Sequence, residues 1–134
     1  MGFRAQDAKI FRPYQDEVPW ELLESAGVSE EDLRQVLELN LVRVAKYEDR
    51  VIGAYGIRPL TPTRYELVSL AVTEGYRRQG LGRWLLGHAI GLAESKGARE
   101  ILVRSAGKRA GTSLLARLGF VEADGELLLS LTPE

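Results

Sequence analysis

Tyr65 to Arg83 read YELVSLAV, TEGY and RRQGLGR, which describes a strand, a glycine-punctuated turn and the start of a helix. Gly80 and Gly82 have no Cβ, so ligand atoms can approach the backbone closely. The first N–H groups of the following helix lack partners within it, and they point outward at the positive end of the helix dipole. The turn therefore predicts an anion-binding site, and a pyrophosphate is the ligand that suits this geometry best.

Composition limits the classes of protein to which the chain can belong. Its 134 residues are enough for one domain with a buried core, and the 45% apolar and 28% charged residues are typical of a globular protein. We therefore expect one domain over residues 1–134. No apolar run approaches the ~20 residues that cross a bilayer, and the N-terminus lacks the pattern of a secretory leader, so we expect a cytoplasmic protein without membrane contact.

Metal ligands and nucleic-acid-binding patches are both scarce. The chain has no Cys and one His, His88, so disulfides, thiolate nucleophiles and zinc-thiolate sites are excluded and no metal is expected. The net charge of −1 argues against general nucleic-acid binding, which relies on a basic surface. Acidic residues crowd Asp16 to Glu38, whereas arginines gather in the second half, which favours a local anionic ligand.

Periodicity and turn signals predict an α/β (α+β) fold with a mixed sheet of six to seven strands and helices on both faces. The predicted strands are Lys9–Tyr14, Leu41–Lys46, Val51–Ile57, Tyr65–Val72, Glu100–Arg104, Val121–Glu122 and Leu127–Leu131. The predicted helices are Glu17–Ala26, one between Ser29 and Asn40, Leu81–Lys96 and Thr112–Leu118. Pro59 and Pro62 predict a loop before the strand at Tyr65. That strand is apolar on both faces and so central, and the helix after it predicts a parallel crossover.

These residues resemble the GNAT superfamily of acyl-CoA N-acyltransferases. Arg77-x-x-Gly80-x-Gly82 matches the superfamily's signature, Leu70-Ala71-Val72 matches the strand end before it, and Leu118-Gly119-Phe120 follows in register. The stretch from Val72 to Ile90 is especially similar to bacterial amino-terminal acetyltransferases of ribosomal proteins. The resemblance is close from Tyr65 to Phe120 and extends upstream in the order of elements.

The resemblance implies how acetyl-CoA, the co-substrate, lies on the chain. The pyrophosphate takes N–H bonds from the turn, and the pantetheine arm runs beside the strand end. The residues implied to bind the co-substrate are Leu70, Ala71, Val72, Arg77, Arg78, Gln79, Gly80, Leu81, Gly82 and Arg83. From Val72 back to Glu66 the strand spans roughly 20 Å at about 3.3 Å per residue, which is comparable to the extended arm and brings the thioester to Glu66.

Glu66 has two interpretations. An amine must lose a proton before it attacks a thioester, and a glutamate in a central strand could be desolvated and serve as the base. In histone-acetylating members of the superfamily the catalytic glutamate occupies the matching position. Alternatively, Glu66 caps a strand end in solvent or pairs with Arg64.

The general acid is where the chain departs from its relatives. Many members have a tyrosine at the position of Leu115. The asparagine that often begins the same helix has no counterpart here, and the nearest residues are Lys108 and Arg109. Ser105 and Ser113 are the nearest hydroxyl groups. A thiolate with a pKa near ~8.5 can leave without an acid, so the absence of a tyrosine is compatible with turnover.

Other interpretations of the turn are less consistent with the sequence. A turn that only packs a helix on a strand does not require its flanking arginines. A Rossmann site needs a third glycine where Leu85 stands and an acid after the next strand, whereas Glu100 precedes that strand. A P-loop is excluded because Gly-Lys-Ser/Thr does not occur.

The expected function is N-acetylation of a primary amine, on a small molecule or a peptide, by direct transfer in a ternary complex. A non-catalytic acyl-CoA sensor that docks on a protein partner is the alternative, and transfer to hydroxyl groups is a weaker one. Tyr47, Tyr55, Tyr65 and Tyr76 line an acceptor groove or belong to the core, and His88 is expected to be a satisfied side chain. A homodimer is expected if the apolar strand Glu126–Thr132 lies at a sheet edge.

Overall fold

The computed structural model describes residues 3–25, 28–104, 112–123 and 126–131. Its strands are β1 (Lys9–Phe11), β2 (Val42–Tyr47), β3 (Arg50–Thr61), β4 (Arg64–Val72), β5 (Glu100–Arg104), β6 (Val121–Ala123) and β7 (Glu126–Ser130). Its helices are α1 (Trp20–Glu24), α2 (Glu30–Glu38), α3 (Leu81–Ser95) and α4 (Thr112–Arg117), with 3₁₀ turns at Ala5–Asp7, Gln15–Glu17 and Glu74–Tyr76.

The described strands form one mixed sheet in the order β1-β2-β3-β4-β5-β7-β6. The first four pair antiparallel, β4 and β5 pair parallel, and β5, β7 and β6 pair antiparallel. The predicted mixed sheet, the central place of β4 and the parallel crossover through α3 are confirmed. The homodimer prediction depended on an edge position for the last strand. β7 lies between β5 and β6, so β6 is the edge strand instead.

Helices cover both faces of the sheet. On one face, α2 buries Leu33 and Val36 in a core cluster with Leu23 of α1. The predicted cap of α2 is confirmed, because the Ser29 hydroxyl accepts a hydrogen bond from the Asp32 N–H at 3.1 Å. On the other face, α3 buries leucines and alanines in a second cluster.

α3 lies directly on the backbone of β3. A Cβ at Gly53 would stand 2.8 Å from Leu85 Cδ1 and 3.2 Å from the Ala71 carbonyl oxygen, so no side chain fits between the helix and the sheet. This close approach fixes where α3 begins relative to the end of β4. The two elements that flank the turn are therefore fixed relative to each other.

Three predicted boundaries are wrong. β3 continues through Pro59 to Thr61. Proline has no N–H to donate to the ladder, but the pairing of β3 with β4 shifts register between Pro59 and Thr61, and proline is tolerated at such an irregularity. β1 ends at Phe11, before Pro13. α1 begins at Trp20, and Glu17 belongs to a separate 3₁₀ turn. The predicted end of α1, Ala26, lies outside the described residues.

Candidate functional site

The central parallel strands part within a few residues. β4 and β5 pair only at Arg64↔Glu100, Tyr65↔Ile101 and Glu66↔Leu102. From residue 67 to 72, the edge of β4 that faces β5 has no described strand beside it. Six extended residues span roughly 20 Å. The divergence leaves an open backbone edge of that length, which we call the β4 gap.

A bulge in β4 marks the start of the β4 gap. Gly56 pairs with Ser69 and Ile57 pairs with Leu67, so two neighbouring residues of β3 are matched by three of β4, with Val68 as the extra one. A bulge leaves the extra residue without a ladder partner and bends its strand. The bulge therefore bends β4 at Val68, where the β4 gap begins.

The turn between β4 and α3 holds unpaired backbone donors. Gly80 has φ +86° and caps the helix, and Arg78 has φ +63°, a conformation that is uncommon for a residue with a side chain. The Trp84 N–H donates to the Gly80 carbonyl oxygen at 3.0 Å. None of the N–H groups from 78 to 83 makes a hydrogen bond of ordinary geometry to another described residue, although the turn at Arg77 and Arg78 directs the Gln79 N–H back into the turn. These donors, together with the helix dipole, create the anion-binding geometry that the sequence predicts, and we call them the amide turn.

Side chains near the amide turn brace it. Arg77 Nε donates to the Val72 carbonyl oxygen at 2.9 Å, which ties the turn to the end of β4. Gln79 Nε2 donates to the Gly75 carbonyl oxygen at 3.3 Å. The side chains of Arg78 and Arg83 are exposed. Exposed cations beside unpaired amides add a positive field at the surface where an anion would bind.

The predicted pantetheine residues present backbone rather than side chains. Ala71 is buried, and Leu70 and Val72 are partly buried against the α3 core cluster. A ligand in the β4 gap would therefore contact their peptide groups. Leu81 is also buried in that cluster, so its contribution to the amide turn is its N–H.

Glu66 lies where β4 and β5 part, and it is 5% exposed. Its Oε1 atom accepts a hydrogen bond from Arg58 Nε at 2.8 Å, and its Oε2 atom is 3.8 Å from Arg104 Nε. Glu66 is therefore buried, so it is not a cap in solvent. Nor does it pair with Arg64, which pairs with Glu100 at 3.2 Å.

Arg58 is a residue of the site that the sequence analysis missed. Its Nη1 atom donates to Asp32 Oδ1 and to Gln35 Oε1, both at 2.8 Å. Burial lowers the pKa of Arg58, but the hydrogen bonds to Asp32 and Glu66 outweigh it and the pKa is raised. The signal was a charged residue inside an apolar strand, because such a residue requires a buried partner.

Two of the four tyrosines belong to the core and cannot line an acceptor groove. Tyr55 is 0% exposed and Tyr65 is 7% exposed, so both belong to the core. Tyr47 and Tyr76 pack edge to face with Phe3, with ring centroids 4.9 and 5.0 Å from it. This aromatic cluster attaches the N-terminal segment to the residue that precedes the amide turn.

His88 is a satisfied side chain, as predicted. Its Nδ1 atom lies 2.6 Å from the Tyr55 hydroxyl. Burial raises the pKa of Tyr55 above its ordinary value, so the hydroxyl stays protonated, and the donor in its hydrogen bond with Nδ1 depends on the tautomer of His88. Although much of the ring is exposed, desolvation of the buried part and the charge of Arg43 lower the pKa of His88.

None of the described residues around α4 is a candidate for the general acid. Leu115 is buried and apolar. Ser105, Lys108 and Arg109, and the side chain of Ser113, lie outside the described residues. In the described part of the chain, no group of three or more acidic or imidazole side chains could hold a metal ion. Nor does any helix in the described ranges have the length and apolarity that crossing a membrane requires.

A mixed sheet whose central parallel strands part beside an anion-binding turn has the features expected of an acyl-CoA-binding protein. The chain belongs to the GNAT acetyltransferase family, whose family model matches residues 4–120. This confirms the resemblance, which was close only over Tyr65 to Phe120 in the sequence.

Known proteins of this family are similar to the chain. An uncharacterised N-acetyltransferase of Chlorobaculum tepidum is 32% identical over 83 residues, which are 62% of this chain and 51% of that protein, so the chain spans about half the length of this relative. A GNAT family acetyltransferase from Elizabethkingia anophelis with acetyl-CoA bound has a TM-score of 0.80 at 22% identity, over 93% of this chain and 99% of that one. An IAA acetyltransferase from Bacillus cereus has a TM-score of 0.78 at 24% identity, over 92% and 99%. At these identities the two structures establish a shared fold.

Proposed function

We propose that the chain is an acetyl-CoA-dependent N-acetyltransferase that acts on a primary amine of a small molecule or a peptide. The observation that carries the proposal is the amide turn, whose unpaired N–H groups from Arg78 to Arg83 lie next to the β4 gap. Membership of the GNAT family and the acetyl-CoA in the Elizabethkingia anophelis structure support it.

The co-substrate would lie along β4. Its pyrophosphate would accept hydrogen bonds from the amide turn, with the exposed cations of Arg78 and Arg83 nearby. Its pantetheine arm would extend through the β4 gap and exchange amide hydrogen bonds with residues 67–72, as an added strand does. The thioester would then reach the bulge at Val68 and the carboxylate of Glu66.

Each step of the reaction would use a group of this site. Glu66, directly or through a water molecule, takes a proton from the amine, whose unperturbed pKa is ~10.4 for a lysine side chain. The amine nitrogen then bonds to the thioester carbon, and backbone N–H groups at the bulge stabilise the oxyanion. The nitrogen loses its second proton to solvent, collapse of the intermediate breaks the C–S bond, and CoA leaves as the thiolate.

The test is CoA release from acetyl-CoA with a panel of small amines and peptides. Glu66→Gln is expected to lower kcat at least tenfold and to leave the CoA dissociation constant unchanged. Glu100→Gln is the matched control, because Glu100 also pairs with an arginine, but its partner is Arg64, two residues before Glu66 on β4, and not one of the arginines that engage Glu66. Equal rates for the three proteins would remove Glu66 from the mechanism.

An acyl-CoA sensor that docks on a protein partner is the second candidate. It is favoured by the buried Leu115 where relatives have an acid, and by the two arginines that engage Glu66. Tight CoA binding without turnover on any amine, together with a co-purifying partner, would support it over the enzyme. We also propose one domain over residues 1–134 and a cytoplasmic location, on the sequence reasoning given above. The homodimer expected from an edge position of Glu126–Thr132 loses that support, because β7 lies between β5 and β6.

A further inference from the structure

Arg58 joins two elements at the candidate base. It lies on β3 opposite Glu66 of β4, and its side chain is 15% exposed. The guanidinium makes three contacts of 2.8 Å, one to Glu66 and the others to Asp32 and Gln35 of α2. The planar fork of arginine is fixed in orientation when several of its N–H groups are engaged, so these contacts leave Arg58 little freedom.

The two oxygens of Glu66 are held unequally. Oε1 is turned to β3 and accepts the short hydrogen bond from Arg58. Oε2 is turned to the β5 side, where its partner is Arg104, 3.8 Å away and 50% exposed. That distance is too long for a direct hydrogen bond. Oε2 is therefore the oxygen that can accept a proton, and it faces the side on which β4 and β5 part.

We infer that Arg58 is a positioning residue, which holds Oε1 of Glu66 so that Oε2 points to the β4 gap, and which transmits the position of α2 to the base. The inference rests on the proposed function. Arg58 acts through Glu66 and contacts no reacting atom. Its loss should therefore lower kcat and leave the binding of the co-substrate unchanged, because the amide turn lies at the other end of β4.

The experiment measures kcat, KM for acetyl-CoA and the CoA dissociation constant for Arg58→Gln, Arg58→Lys and Arg58→Gln/Glu66→Gln. Arg58→Gln should lower kcat at least tenfold with KM and CoA affinity within twofold, and lysine should restore part of the loss. The double variant should be no slower than Glu66→Gln alone. Arg64→Gln, which loses an ion pair two residues before Glu66 on the same strand but does not pair with Glu66, is the control and should keep full activity.

Asp32→Asn provides the same test if Arg58→Gln does not fold. Its carboxylate is 40% exposed and anchors Arg58 to α2, so kcat should fall about threefold or more, and only when Glu66 is present. An active protein that needs Glu66 but tolerates both changes would overturn this inference alone. Activity that survives Glu66→Gln would overturn it together with the base. Absence of turnover on every amine would overturn the proposed function itself.

Discussion

Replacing Gly80 with alanine tests the backbone conformation of the amide turn while every other side chain near the turn stays in place. Gly80 has φ +86°, and an added Cβ would meet only Ala5 Cβ, at 3.7 Å, which is an ordinary contact. The cost of Gly80→Ala is therefore conformational. An L-residue in the left-handed region costs roughly 1–2 kcal/mol.

We expect this cost to appear in binding. The turn N–H groups make no bonds to described residues in the free protein, so the chain around residue 80 can relax and turn its amides away. When CoA binds, the chain must return to the binding geometry at a cost of about 1–2 kcal/mol. This cost raises the CoA dissociation constant about 5- to 30-fold. The ligand-free melting temperature should change by less than about 3 °C, because the strain has been released.

Isothermal titration of CoA into both proteins measures this change. Gly75→Ala is the matched control, because a Cβ at Gly75 would meet nothing within 4 Å and its φ is not in the left-handed region, so its affinity should be unchanged. An unaltered dissociation constant for Gly80→Ala would refute the assignment of the amide turn as the CoA pyrophosphate site.

Three further predictions concern stability, measured by thermal and urea unfolding. Gly53→Ala should destabilise the fold by about 1–3 kcal/mol, because the new Cβ would lie 2.8 Å from Leu85 Cδ1; an unchanged midpoint would contradict the direct packing of α3 on β3. Gly87→Ala, on the exposed face of α3 with nothing within 4 Å, should stabilise by up to about 1 kcal/mol. The pKa of His88 lies below its ordinary 6.5, so the unfolded chain takes up its proton first and stability should fall as pH drops below ~6.5. His88→Gln should flatten that dependence, and an unchanged pH profile would exclude the Tyr55–His88 pair as its source.

The sequence was most informative where the structure depends on neighbouring residues. The glycines of the amide turn, the cap at Ser29 and the apolar stripe of α3 each depend on contacts within a few residues, and the order strand, helix, strand predicted the parallel crossover. The register of β3 against β4 could not be obtained in this way. Two register shifts, one of them at Pro59, leave no local sequence signal and decide which side chains face one another.

The candidate base illustrates that limit. Glu66 was identified from its strand position, but its partner was sought at Arg64, two residues away on the same strand. The cross-strand position opposite Glu66 is Arg58, and Asp32 comes from a helix 26 residues earlier in the chain than Arg58. Such long-range contacts follow from sheet register and helix packing, which the composition of a single strand does not specify.

The aromatic cluster around Phe3 affects how the protein should be handled. Phe3 packs on Tyr76, and Ala5 lies beside Gly80, so a tag joined close to Phe3 would lie next to the amide turn. At the other terminus, the Leu131 N–H donates to the Arg99 carbonyl oxygen, beside the first residues of β4. The nine residues of β4 separate these two ends by roughly 30 Å. A carboxy-terminal tag is therefore the one to use when CoA binding is to be measured.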